Sequence, residues 1–367
     1  MHLFFLKMMG QKGAIWMANR NKRQNKISSI FEDLKLVAQH LVKVPPWSPL
    51  FSIIGPRSSW HPNKHSEFNL AQWGEFKLAQ GTHSPEWART IENITQALAL
   101  MFIPRVFPFR GAPSSYPFDG DPSVLSDEGE NVFGNEKWFF VNGIATDPTM
   151  LQMNGAYLYE LFGRPIELIN NPTDGVFVDL IESVFGRTFD FTSTPALYTK
   201  VRVENALASD AYDRVVLLAH SQGAIVASNV VRDLVQAYQQ HGRKSDLEKL
   251  EVYTFGSAAD EIDADTELSR KCNRLVPYIE HYANTGDVIA QIGVLQKNNP
   301  ANQKEMDGRI YTVDQSGHLF NAHYLSNIAQ KRYVNKTIET ASRLYDYLGG
   351  NIPNSKSYNA TSLGDLD

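Results

Sequence analysis

The chain has 367 residues, of which 43% are hydrophobic and 20% charged. That apolar content supports a buried core, and the length corresponds to about two domains or one large domain with extensions. Lys and Arg number 35 against 40 Asp and Glu, a formal net charge of −5, so no whole-chain positive field is available for nucleic acid or an anionic membrane. The single cysteine, Cys272, excludes an intrachain disulfide framework and any multi-cysteine metal site, and it fits a reducing compartment.

In chain order, the first apolar run is Leu3-Phe4-Phe5-Leu6, broken by Lys7. It is shorter than a secretory signal requires, and the basic stretch at residues 20–26 follows it instead of preceding it. A solvated N-terminal arm and a cytoplasmic protein are therefore expected. No run reaches the roughly 18–20 apolar residues of a spanning helix, so no transmembrane segment is expected, while peripheral membrane contact stays open.

Residues 1–135 are expected to form a helical and loop-rich extension. A short amphipathic helix is predicted over 31–44, stopped by Pro45-Pro46. A second is predicted after Ser84, a suitable N-cap, with Pro85 in the first helical position. There Trp87, Ile91, Ile94, Leu98 and Met101 recur at helical spacing. Residues 104–134 are rich in Pro, Gly, Ser and aromatics and read as a long irregular connection, either a lid over a pocket or an ordinary wrapping loop.

From residue 136 the pattern changes. Buried strands are predicted at 138–141, 165–169, 215–218, 250–255, 276–283 and 309–313. Helices are predicted at 175–185, 195–208, 224–240 (closed by Gly242) and 336–348. Such alternation implies an α/β unit over residues 136–350, a mainly parallel sheet with helices on both faces, followed by a polar tail at 351–367.

The strongest local signal is Val215-Val216-Leu217-Leu218-Ala219-His220-Ser221-Gln222-Gly223-Ala224. A buried strand enters a small-x-Ser-x-Gly bend and a helix starts at once. Small residues two before and two after the serine are needed because the bend is too tight for larger ones. Such a bend presents Ser221 at the carboxyl end of the strand, next to a helix N-terminus that favours developing negative charge.

On these residues, the chain from about Lys137 to Leu348 resembles an α/β-hydrolase, nearest to the lipase and esterase branch. The N-terminal third matches no family. A serine hydroxyl needs a base, and the base needs a carboxylate to fix its tautomer. The resemblance implies the chain order serine, acid, histidine. Asp287 follows the predicted strand at 276–283, after the short turn Asn284-Thr285-Gly286, in Asp287-Val288-Ile289, similar to an Asp-Pro-Val segment of lipases, and is the expected acid; Asp260 is its rival. Two histidines after the last strand compete as base. His318 stands behind Gly317 and is favoured; His323, directly before Tyr324, is the alternative. His220 and His281 are expected to pack near the site. The oxyanion donors implied are the backbone amides of Gln222 and of Ile144, after Asn142-Gly143, with the Asn142 side chain bracing that loop.

The apolar stretches 157–162 and 176–191 either pack in the core or line a cleft for an acyl chain. The expected function is a serine hydrolase of carboxylic esters, lipids or other acyl esters, acting through an acyl-enzyme. The alternatives are a thioesterase or acyltransferase on the same residues, or a non-catalytic scaffold. No cofactor, metal or nucleic-acid partner is expected.

Overall fold

The computed structural model describes residues 55–56, 63–67, 114–118, 133–143, 146, 148–171, 194–241, 243–264, 276–298, 306–337 and 340–353. The predicted helices at 31–44, 84–101 and 175–185, together with Ile144, the apolar stretch 176–191, Gly242 and Cys272, lie outside the described residues.

The elements in order are β1 (Ser114–Phe118), β2 (Glu136–Val141), α1 (Pro148–Phe162), β3 (Ile166–Asn170), α2 (Thr194–Ala208), β4 (Arg214–His220), α3 (Gly223–His241), β5 (Leu250–Phe255), β6 (Tyr278–Asn284), α4 (Val288–Ile292) and β7 (Arg309–Val313). A π-helical turn, Phe320–Leu325, then runs into α5 (Ser326–Ala329). The strands form one seven-stranded sheet in the order β1-β3-β2-β4-β5-β6-β7. β1 pairs antiparallel with β3 and the other pairings are parallel. The chain is thus α/β with a mainly parallel sheet.

Alternation along the strands builds two cores. Phe139, Val141, Val215, Leu217 and Ala219 face α2 and α3, packing on Val203, Leu207, Ala227, Val231 and Leu234. Their neighbours Trp138, Phe140, Val216 and Leu218 point the other way, against Leu158 and Phe162 of α1 and against Phe320, Leu325 and Ile328. Both faces of β2 and β4 are therefore buried, which is why these strands read as unbroken apolar runs. Full burial of one such side chain is worth about 1.5–3 kcal/mol.

Three expectations are corrected here. The stretch 104–134 is not irregular throughout, because Ser114–Phe118 forms β1. Pro117 hid it: proline has no N–H to donate and is tolerated on an edge strand, which β1 is among the described residues. The helix expected at 336–348 is instead a 3₁₀ segment, Arg343–Gly350, interrupted at Leu348 and Gly349. Upstream, the Asn335 side chain accepts from the Thr337 N–H (2.8 Å), a local bond that competes with helix formation. In the stretch 157–162, for which core packing and a cleft lining were both open, Tyr157, Leu158 and Phe162 pack in the core. The strand expected at 276–283 begins two residues later, at Tyr278, after Pro277, which has no N–H for the ladder.

The parallel arrangement gathers the carboxyl ends of β2, β4, β5, β6 and β7 along one edge of the sheet. The opposite edge is tied by charges. The buried Glu251 carboxylate accepts from Arg214 (3.0 Å), Arg343 (2.7 Å), Tyr253 (2.6 Å) and Tyr347 (2.7 Å).

Candidate active site

Ser221 directly follows the last residue of β4 and is separated by Gln222 from Gly223, the first residue of α3. Its φ is 56°, in the left-handed region, at a cost of about 1–2 kcal/mol for a residue with a side chain. Backbone bonds hold it there: its N–H donates to Phe255 O (2.9 Å), and its carbonyl accepts from Ala224 N (3.0 Å) and Ala258 N (3.2 Å). The small neighbours have visible reasons. A Cβ at Gly223 would lie 2.7 Å from Asn142 O, and one at Gly143 would lie 2.7 Å from Ser221 Cβ. Ala219 is fully buried in the ladder between Val141 and Thr254.

His318 Nε2 lies 2.8 Å from Ser221 Oγ, and its Nδ1 lies 2.6 Å from Asp287 Oδ2. With Nδ1–H donating to the carboxylate, Nε2 carries the lone pair that accepts the serine O–H. The loop bearing His318 is fixed by its backbone. Gly317 O accepts from Asn284 Nδ2 (2.8 Å), and His318 O accepts from His220 Nε2 (2.9 Å). His220 is buried, its ring centroid 4.8 Å from that of His318. Burial, and then the nearby His318, hold its pKa well below the usual imidazole range, so it is a neutral donor.

Asp287 is 1% exposed and caps α4, its Oδ1 accepting from Ile289 N (2.9 Å). Its Oδ2 also accepts from the Tyr324 hydroxyl (2.5 Å). Burial and then the adjacent Asp287 charge push the Tyr324 phenol well up, so it keeps the proton it donates. Gly256, at φ +52°, makes room for this pair: a Cβ there would lie 2.8 Å from Tyr324 OH and 3.0 Å from Asp287 Oδ2.

Of the expected residues, the fold brings Ser221, Asp287 and His318 together. His323 is not the ring at Ser221. It is buried, its Nδ1 accepts the Leu319 N–H (3.0 Å), and its ring lies against Gly317, where a Cβ would come within 2.6 Å. Asp260 lines a surface hollow with Ser228, Asn229 and Arg232. His281 is buried away from the serine, bonded to Thr254 Oγ1 (2.7 Å) and Asp307 O (2.9 Å).

Gln222 directly follows Ser221, and its carbonyl already accepts from Ile225 N (2.9 Å) in the first turn of α3. The Asn142 side chain braces the loop after β2: its Oδ1 accepts from Asn171 N (2.6 Å) and its Nδ2 donates to Gly143 O (2.8 Å). Asn171, a residue the sequence did not single out, continues this brace by donating to Gln222 Oε1 (2.9 Å). Tyr324 and Gly256 were likewise missed. Their sole sequence signal was proximity to a candidate histidine and a glycine at a strand end. Among the described residues, no group of three or more His, Cys, Asp or Glu is placed to hold a metal ion, and no helix is long and apolar enough to cross a membrane.

The described residues thus form an α/β unit, a mainly parallel sheet with an antiparallel edge strand, with a serine in a left-handed bend between the central strand and its helix. No family model matches the chain, and no curated protein matches it. Among solved structures it is similar to a hyperthermophilic esterase from the archaeon Pyrobaculum calidifontis, at 11% identity over 72% of this chain and 96% of that one, with a TM-score of 0.31. It is also similar to a serine-to-alanine mutant of LAE6, an α/β hydrolase enzyme from the metagenome of Lake Arreo, Spain. There the identity is 10%, over 74% of this chain and 93% of that one, and the TM-score is 0.29.

Proposed function

We propose that the chain is a serine hydrolase of carboxylic esters, with Ser221 as nucleophile, His318 as base and Asp287 as the acid that orients it. What supports the reading is the unbroken relay from Ser221 Oγ through the His318 ring to Asp287, at 2.8 and 2.6 Å. Ser221 Oγ attacks the acyl carbonyl carbon while His318 Nε2 takes its proton. Asp287 stabilises the resulting imidazolium without taking that proton. The tetrahedral oxyanion accepts from the backbone N–H of Gln222. Ile144, by its place after Gly143 in the sequence, supplies the second donor. Each donor is worth roughly 3 kcal/mol of transition-state stabilisation. The carbon–oxygen bond to the leaving alcohol then breaks, and His318 returns its proton to that oxygen. Water, deprotonated by His318, cleaves the acyl-enzyme and regenerates the serine.

Ser221 is 2% exposed and His318 7%. The substrate class is acyl esters, lipids included. Because Tyr157, Leu158 and Phe162 are core residues, chain length is best read from turnover. The test is a panel of short- and long-chain esters, glycerides, phospholipids and thioesters on the wild type and on Ser221→Ala. Turnover of at least one ester by the wild type, lost in the variant, is expected. Equal turnover by both proteins would remove Ser221 from the reaction.

A further inference from the structure

The base is held by more than the hydrolase sheet. Residues 63–67, from the N-terminal extension, lie against the turn that follows His318. Glu67 is 6% exposed, and its two carboxylate oxygens accept the backbone N–H groups of Asn321 (2.7 Å) and Ala322 (2.8 Å). These are among the first N–H groups of the helical segment beginning at Phe320, which have no partner within the helix itself. The contact is reinforced on both sides. The Asn321 side chain donates to His65 O (2.7 Å), and Asn63 Nδ2 donates to Ser326 Oγ (2.7 Å). His65 and Lys64 in turn bond the Glu160 carboxylate of α1, at 2.9 and 2.7 Å.

We propose that Glu67 is a positioning residue for the reaction: by capping the turn that starts two residues after His318, it fixes where the His318 backbone leaves the sheet and so sets the distance from its ring to Ser221. The proposal rests on the hydrolase reading above and adds a role for the N-terminal extension. A rigid donor set alone does not hold the loop. Asn284 and His220 fix residues 317 and 318 from the sheet side, His323 accepts the Leu319 N–H within the turn, and Glu67 fixes residues 321–322 from the other side, so His318 is clamped between them. A glutamate suits this place because a single carboxylate satisfies two adjacent N–H groups, and its charge favours a helix N-terminus.

Burial opposes the charge and pushes the Glu67 carboxyl up to about 7, against the four backbone hydrogen bonds that favour ionisation. Around it, Tyr157 on α1 feels the charges of both Glu67 and Glu160, and Lys64 and His65 on its own segment bond Glu160. Once protonated, the carboxyl presents an O–H where two N–H groups need acceptors, and the clamp weakens.

The test uses Glu67→Gln in the full chain. Gln keeps the volume but offers one acceptor, with an NH₂ group facing the second N–H. A ten- to hundredfold fall in kcat with KM little changed is expected, because a small misplacement of a catalytic group costs that much. Labelling of the serine by a fluorophosphonate slows by the same factor, and the amides of Asn321 and Ala322 exchange hydrogen faster. Unchanged kcat overturns the proposal, whether or not exchange quickens, because the clamp is then purely structural. Should Glu67→Gln fail to fold, Glu67→Asp, which keeps the charge with shorter reach, is expected to show a smaller fall in kcat; wild-type kcat there overturns the proposal equally. A wild type that neither turns over esters nor reacts with the probe overturns the hydrolase reading and the positioning role with it, while unchanged amide exchange in a turnover-competent pair refutes the clamp alone.

Discussion

Replacing Tyr324 by Phe isolates a hydrogen bond to Asp287, the partner of the His318 ring. The ring is fully buried and the change removes one oxygen, so packing is largely kept. What is lost is the hydroxyl donation to Asp287 Oδ2 at 2.5 Å and a longer acceptance from Asn284 N at 3.4 Å. A hydrogen bond to a buried charged group is worth about 1.5–3 kcal/mol, and stability should fall by that order. Asp287 retains the Ile289 N–H and the His318 N–H. With one donor fewer, its negative charge is less spread and attracts the proton on His318 more strongly. The imidazolium is therefore favoured, and the acid limb of kcat/KM moves to higher pH. The assay pairs urea unfolding with a pH profile of ester hydrolysis. Unchanged stability together with an unmoved acid limb would refute the reasoning, because the bond would then carry no energy in either state.

Gly143→Ala places a Cβ 2.7 Å from Ser221 Cβ and 3.1 Å from His220 Nδ1, neither of which can retreat from its pinned backbone. Overpacking of this kind costs about 1–3 kcal/mol, and displacement of Ser221 should lower kcat by roughly ten- to a hundredfold; wild-type stability and kcat in that variant would show the approach is not tight. His318→Ala should abolish turnover, whereas His323→Ala, which removes the acceptor for Leu319 N–H, should lower it and leave measurable activity. The reverse order in a side-by-side rate measurement would make His323 the base. Glu67 holds its proton in the folded state between 4.5, its ordinary value, and about 7, a window in which the unfolded chain has released it. Stability should therefore fall as pH rises through that window, by up to about 1.4 kcal/mol per pH unit, and Glu67→Gln should flatten that slope in urea titrations at several pH values.

Local geometry explains which parts of the site could be read from the amino acids. The Ser221 bend is written in its immediate neighbours, because Ala219 and Gly223 have to be small whatever the rest of the chain does. The central strands were legible for the same reason: a strand buried on both faces has to be apolar at every position. The choice between His318 and His323 was not local. The two rings share one loop, and which of them meets Ser221 depends on Asn284, His220 and Leu319 fixing its backbone. Tyr324, Asn171 and Glu67 were invisible because their partners are distant in sequence: Asp287, Gln222 and the turn at 321–322. β1 was concealed by Pro117, which argues against a strand everywhere except at an edge.

Mass spectrometry of the native protein after treatment with a fluorophosphonate asks whether Ser221 is a nucleophile activated by His318. One stoichiometric adduct is expected on the peptide containing Ser221, absent from His318→Ala on the same time scale and absent after the chain is unfolded. A folded wild type that takes up no probe, or takes it up on a different residue, would contradict it.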